Sequence, residues 1–145
     1  MNPPPLIFCV LFDHFLQVTD DFRKEIFAVV AWCLWRPPEH DHFKVNFDAA
    51  VFKSFNLAGI RVVIRDWCGD VVAALFMPTA QASTVTDLEA LACRHAVMFA
   101  AEKDLQNVIF EGHSVSVTNA IVQEDQVLTS YGDTVDDIRS LVSVF

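Results

Sequence analysis

The fold is decided by three stretches of sequence: FKVNFD (residues 43–48), GIRVVIR (59–65) and VVAALFM (71–77). In the first, apolar and polar residues alternate with the period of a half-buried strand. The second and third are rich in β-branched and other apolar residues. They are separated by DWCGD (66–70), in which Gly69 can adopt the positive φ of a hairpin turn. The sequence therefore predicts a meander of three antiparallel strands.

The next stretch predicts a helix and a fourth strand. Pro78 is expected to end the third strand. Thr86 and Glu89 fit a capping box, and an apolar stripe then continues from Leu88 to about Lys103. Residues 107–111 (NVIFE) predict a short buried strand. A helix between strands three and four predicts a mixed sheet in which the fourth strand is parallel to a neighbour.

The remaining segments complete the predicted organisation. Residues 114–122 fit a helix or a strand, whereas the last segment keeps helical spacing after a cap at Thr134. Residues 20–35 also predict a helix. We therefore expect an N-terminal segment with one helix and a linker (1–42), followed by an α/β domain with a mixed sheet in βββαβα order (43–145).

Composition limits the possible classes of protein. The chain has 145 residues and 53% hydrophobic content, enough for one domain with a core and too apolar for disorder. No apolar run reaches the roughly 18 residues of a membrane helix, so we expect an intracellular protein, nuclear or cytoplasmic, with no membrane partner. The net charge of −9, with only 10 scattered Lys and Arg, indicates weak binding to nucleic acids. The oligomeric state stays open.

Three positions are candidates for metal-dependent chemistry. Asp48 is expected at the end of the first strand, Glu89 in the first turn of the long helix, and His113 just beyond the fourth strand. Ligands of open α/β sheets gather beyond strand ends, and carboxylates that converge there could hold two Mg²⁺ ions. The structural alternatives are that Asp48 simply ends a strand, that Glu89 is a capping residue and that His113 is a solvated loop residue.

Four motifs in order carry a resemblance to a known family. KVNFDAA (44–50), AGIRVVIRD (58–66), EALA (89–92) and FEGHS (110–114) resemble the plant ribonuclease H-like domains of retroelement-derived, reverse-transcriptase-like proteins. The resemblance extends over roughly residues 43–145. It implies a ribonuclease H-like fold and an endonuclease that hydrolyses the RNA strand of RNA–DNA hybrids, using two Mg²⁺ ions and four acidic residues.

The sequence departs from the family pattern at several places. Carried over, Asp48 is the first acid and Glu89 the second, but the third position holds His113. A neutral imidazole suits Mn²⁺ or Zn²⁺ better than Mg²⁺. Arg61 stands where the family usually has glycine. The family's fifth strand and final helix, which carries the fourth acid, have no counterpart before Phe145, so we expect a C-terminally truncated domain.

The resemblance therefore implies an RNA–DNA hybrid endonuclease by descent, whose activity we expect to be weakened or lost. Its candidate catalytic and metal-binding residues are Asp48, Glu89 and His113, which we expect to lie within reach of one metal site. The implied cofactor is Mg²⁺ or Mn²⁺, and the implied partner is a weakly bound hybrid. Two alternatives stay open: a non-catalytic interaction module and a retroelement fragment without selected function. The net charge of −9 and His113 favour these alternatives.

Overall fold

The computed structural model describes residues 38–52, 57–80, 84–123, 129–143 and 145. The elements within them are β1 (Phe43–Phe52), β2 (Leu57–Arg65), β3 (Val71–Thr79), α1 (Val85–Glu102), β4 (Val108–Glu111), α2 (Val115–Val122) and α3 (Gly132–Val142). The helix predicted at residues 20–35 lies outside the described residues. In the part of the chain described, no helix is both long and apolar enough to span a membrane.

The four strands form one mixed sheet in the order β3-β2-β1-β4. β1 pairs antiparallel with β2, β2 pairs antiparallel with β3, and β4 lies parallel to β1. The turn between β2 and β3 contains Gly69 at a φ of +87°. Asp66 stabilises that turn, because its Oδ1 accepts hydrogen bonds from the backbone N–H groups of Cys68 and Asp70 at 2.9 Å each. The predicted meander and the predicted parallel fourth strand are both confirmed.

The core lies between one face of the sheet and α1. Alternate residues of β1 and β2 point to this face, as the pleat of a strand requires. Small residues on α1 let the helix approach the sheet closely. Burial of each isoleucine side chain contributes about 1.5–3 kcal/mol to the free energy of folding. The buried core residues are Val45, Phe47, Ile60, Val62, Ile64, Ala90, Ala92, Cys93, Ala96, Val97, Ala100, Val117 and Ile138.

Two strands extend further than their patterns predict. β1 continues past Asp48 to Phe52, where it pairs with the start of β2. β3 continues through Pro78 to Thr79, so the prediction that Pro78 ends the strand is wrong. Proline is tolerated here because β3 is an edge strand, whose outer side needs no backbone donor for a neighbouring strand.

The N-terminal cap of α1 also differs from the prediction. Thr84 and Asp87 form the capping box: the Thr84 hydroxyl accepts from the Asp87 N–H at 3.1 Å, and the Asp87 carboxylate accepts from the Thr84 N–H at 2.9 Å. The predicted pair, Thr86 and Glu89, lies two residues later, so the prediction that these two residues form the capping box is wrong. Ser130 favours the earlier pair, because its hydroxyl donates to Asp87. Glu89 therefore takes no part in capping α1.

The last two helices pack beside α1. α2 settles the ambiguous segment as a helix, which Ser114 caps by accepting from the Val117 N–H at 3.3 Å. α3 begins at Gly132 with no side-chain cap, so the predicted cap at Thr134 is wrong, and that residue lies inside the helix. An ion pair of 3.1 Å between Arg94 Nε and Asp137 Oδ2 links α1 to α3.

Candidate functional site

Asp48 lies within β1 and not at its end. Its Cα is in register with Arg61 on the antiparallel strand β2. Because side chains alternate along a strand, Lys44, Asn46 and Asp48 share the face opposite to the core residues. The first candidate residue therefore belongs to a polar line of side chains along a central strand.

The Asp48 carboxylate forms an ion pair with Arg61, in which Nη2 of the guanidinium donates to Oδ2. Both side chains are largely shielded from solvent, with 15% of Asp48 and 19% of Arg61 exposed. Charges interact more strongly in such surroundings than in water, since the effective dielectric constant is lower. One oxygen of the first candidate ligand is therefore already engaged by a cation that the chain itself supplies.

Glu89 lies in α1 beside the same part of β1. Its carboxylate accepts a hydrogen bond from the backbone N–H of Ala49, the residue after Asp48. Glu89 is only 8% exposed, and its Oε2 has no hydrogen-bond partner among the residues that the structure describes. Burial, reinforced by the negative charge of Asp48, raises the pKa of Glu89 to about 7. The structure thus brings the first two candidate residues together.

His113 follows β4 in an exposed bend between Gly112 and the Ser114 cap of α2. Gly112 lies against the ring of Phe47, and a side chain added there would overlap that ring. The close approach ties the end of β4 to the residue next to Asp48. The predicted position of His113 just beyond the fourth strand is confirmed, and its role as a third ligand stays a prediction.

A second polar cluster lies on the same face of β1. Lys44 Nζ is 2.8 Å from Glu111 Oε1, and Asn46 Nδ2 donates to Glu111 Oε2 at 3.2 Å. Lys44 is buried, with 6% of its side chain exposed, so the carboxylate of Glu111 compensates a charge that would otherwise be costly to bury. This cluster stabilises the pairing of β1 with β4.

The carboxylates as arranged do not fit a pair of divalent ions. Within the described ranges, no three His, Cys, Asp or Glu side chains are grouped so as to hold a metal ion. Glu89 has an unpartnered oxygen that could bind a cation, but Asp48 is paired with Arg61. Sequence reasoning noted Arg61 as a departure from the family and missed this contact. The antiparallel register of the first hairpin was the signal that could have revealed it.

The fold is similar to those of solved ribonucleases H. RNase H1 from Halobacterium salinarum has a TM-score of 0.64 and 20% identity, covering 72% of this chain and 79% of its own. The N-terminal RNase H domain of a Mycobacterium tuberculosis protein has a TM-score of 0.63 and 16% identity, with coverages of 72% and 76%. LC11-RNase H1, isolated from compost and solved with an RNA/DNA hybrid, has a TM-score of 0.59 and 17% identity, with coverages of 70% and 77%.

The sequence itself also matches a family. A comparison with curated proteins finds no match. The model of the reverse transcriptase-like family matches residues 46–145, which is more than half of the chain and includes Asp48, Glu89 and His113. With this match and a ribonuclease H-like mixed sheet, the chain belongs to the reverse transcriptase-like family.

Proposed function

We propose that this chain is a ribonuclease H-like nucleic-acid-binding domain of retroelement and plant origin, descended from an RNA–DNA hybrid endonuclease, with Mg²⁺-dependent cleavage weakened or lost. The observation that carries the proposal is the meeting of Asp48 and Glu89 beside the central strand, with Arg61 paired to Asp48. The first two acids of the family pattern are retained, and the charge of Asp48 acts on the carboxylate of Glu89. Their surroundings favour an internal cation over a metal.

The proposed ligand is an RNA–DNA hybrid. Its support is the ordered motifs of the sequence together with the hybrid bound by LC11-RNase H1, a protein of similar fold. Phosphate neutralisation by Lys and Arg supplies most of the non-specific affinity for nucleic acids. Among the described residues, four basic side chains are paired with acids of the same chain: Lys44, Arg61, Arg94 and Arg139. With only 10 Lys and Arg in total, the expected affinity for a hybrid is weak and strongly salt-dependent.

The proposed loss of activity rests on the metal-binding chemistry. Mg²⁺ is a hard cation that prefers anionic oxygen ligands, whereas position 113 offers an imidazole. With Asp48 paired to Arg61, the site offers fewer free anionic oxygens than two divalent ions prefer. We therefore propose Mn²⁺ as the better-tolerated ion and Mg²⁺ as the ancestral one.

The second candidate function is a non-catalytic interaction module with the same fold. The net charge of −9 on the whole chain favours it, because a chain with that charge is repelled by phosphates and is better suited to a basic protein surface. A retroelement fragment without selected function is the remaining alternative. An intracellular location is likewise part of the proposal, and localisation of a tagged full-length chain tests it.

A cleavage assay on a labelled RNA–DNA hybrid distinguishes these functions. The native protein, Asp48→Asn and His113→Asp are compared in Mg²⁺ and in Mn²⁺. We expect little or no cleavage by the native protein in Mg²⁺, slow cleavage in Mn²⁺ that Asp48→Asn abolishes, and tighter Mg²⁺ binding by His113→Asp. Brisk Mg²⁺-dependent cleavage by the native protein, lost in Asp48→Asn, would show that the site is intact. No hybrid binding by any variant at low salt would favour the interaction module or the fragment.

A further inference from the structure

We infer that Arg61 is a built-in cation of the candidate site: its guanidinium neutralises Asp48 and competes with divalent metal ions for that carboxylate. The inference rests on the proposed function, in which Asp48 descends from a metal ligand. It gives Arg61 a definite role, that of a residue which holds the site in a metal-free form.

The geometry of the two strands fixes this contact. Asp48 and Arg61 are directly opposed in the β1–β2 register, on the sheet face that carries the other polar side chains. Opposed residues of antiparallel strands have Cβ atoms about 4.5–5.5 Å apart. The arginine side chain is therefore confined next to the carboxylate by the backbone. Its Nη2 donates to Oδ2 of Asp48 in a contact that is mostly shielded from solvent.

The positive charge of the Arg61 guanidinium is not lost by titration. Arginine stays protonated throughout the pH range in which proteins are folded. A guanidinium is also less strongly hydrated than an ammonium group, so it is less costly to keep in a shielded site. Lys44, the neighbouring buried cation, is paired with Glu111 at 2.8 Å. Arg61 is the cation that forms an ion pair with Asp48.

A metal ion that binds Asp48 must overcome this arrangement. It must displace the guanidinium from Oδ2, and the displaced charge stays nearby because β2 holds its backbone in place. Two positive charges then repel each other in surroundings of low dielectric constant. Removing the charge of Arg61 should therefore make the site more receptive to metal ions, even though His113 is unchanged.

The test is a titration of the full chain with Mn²⁺. Binding is measured by calorimetry and by the loss of the electron paramagnetic resonance signal of free Mn²⁺. Arg61→Gln removes the charge and keeps a polar side chain of moderate length, whereas Arg61→Lys keeps the charge. Arg94→Gln is the matched control. It also removes an arginine from an ion pair, but that pair joins Arg94 to Asp137 at the contact between α1 and α3 and does not include Asp48. Adding Asp48→Asn to Arg61→Gln tests whether any gained site uses Asp48.

We expect the native protein to bind Mn²⁺ at millimolar concentrations or more weakly. Arg61→Gln should bind at least about tenfold more tightly, equivalent to about 1.4 kcal/mol, and should show a Mn²⁺-dependent rise in Tm. Arg61→Lys and Arg94→Gln should bind like the native protein, and Asp48→Asn should abolish the gain in Arg61→Gln.

Two results would overturn the inference. One is micromolar Mn²⁺ binding by the native protein that Asp48→Asn abolishes, and this result needs no Arg61 variant to fold. The other is equal Mn²⁺ affinity in native protein, Arg61→Gln and Arg61→Lys. Hybrid binding measured in a metal chelator tests the proposed function separately. Failure to bind a hybrid would contradict the proposed function and not the role of Arg61. Equal Mn²⁺ affinities would contradict the role of Arg61 and not the proposed function.

Discussion

Replacing Glu89 by glutamine should stabilise the protein at high pH and leave it unchanged at low pH. Glu89 is 8% exposed and lies near Asp48, so its ionised form is unfavourable in the folded protein. Glutamine has nearly the same shape and can still accept the hydrogen bond from the Ala49 N–H. The substitution therefore removes the cost of the charge and keeps the packing.

The size of the effect follows from the pKa. Folding raises the pKa of Glu89 from 4.5 to about 7. Between these values the folded state binds more protons than the unfolded state, so the free energy of unfolding decreases as pH rises from about 4.5 to 7, and its contribution is constant above that range. Each unit of pKa shift corresponds to about 1.36 kcal/mol, which gives an upper limit of about 3.4 kcal/mol. Partial access of water to the carboxylate reduces our expectation to about 2 kcal/mol.

Urea unfolding at pH 5 and at pH 8, in the presence of a metal chelator, measures this effect. We expect Glu89→Gln to exceed the native free energy of unfolding by about 2 kcal/mol at pH 8, with a difference below about 1 kcal/mol at pH 5. Glu102→Gln is the matched control, because Glu102 is an exposed residue at the other end of the same helix. It should be within about 0.5 kcal/mol of the native protein at both pH values.

The reasoning is refuted if Glu89→Gln destabilises the protein equally at both pH values. That result would mean that the ionised carboxylate makes a favourable contact at pH 8. A stabilisation that does not depend on pH would also contradict it, since the cause would then be packing or helix propensity and not ionisation.

Three further predictions concern stability, measured as the free energy of unfolding. Gly112→Ala should lose about 1–3 kcal/mol, because a methyl group there overlaps a core ring; an unchanged value would mean that the ring moves without cost. Thr84→Ala should lose about 1 kcal/mol and Thr86→Ala under about 0.5 kcal/mol. A larger loss for Thr86→Ala would mean that Thr86, and not Thr84, caps the helix. Glu111→Ala should lose about 2 kcal/mol by leaving Lys44 buried beside an empty position, whereas a loss near zero would mean that water or another group replaces the carboxylate.

Much of this fold follows from local sequence patterns. The alternation in residues 43–48 and the Gly69 turn predicted the meander, because both depend only on side-chain period and backbone conformation. The helix between β3 and β4 predicted a parallel fourth strand, since a parallel pair needs a long connection. The sequence motifs also selected Asp48 and Glu89, which the structure brings together.

Local patterns failed where distant residues decided. The pattern TDLE (86–89) predicted the cap of α1, but TVTD (84–87) forms it. Ser130, which lies 43 residues after Asp87, favours the observed cap through its hydrogen bond to that carboxylate. Pro78 is compatible with β3 only because that strand lies at the sheet edge, which is a property of the whole sheet.

The sequence by itself determined the order of the elements, the family pattern and the identity of the candidate acids. Only the tertiary structure decided their electrostatic state. Strand register placed Arg61 against Asp48, and helix packing buried Glu89 beside them. The physical reason is that ionisation and metal affinity depend on burial and on charges a few ångströms away, and those neighbours come from different strands and a helix whose contacts no local pattern specifies.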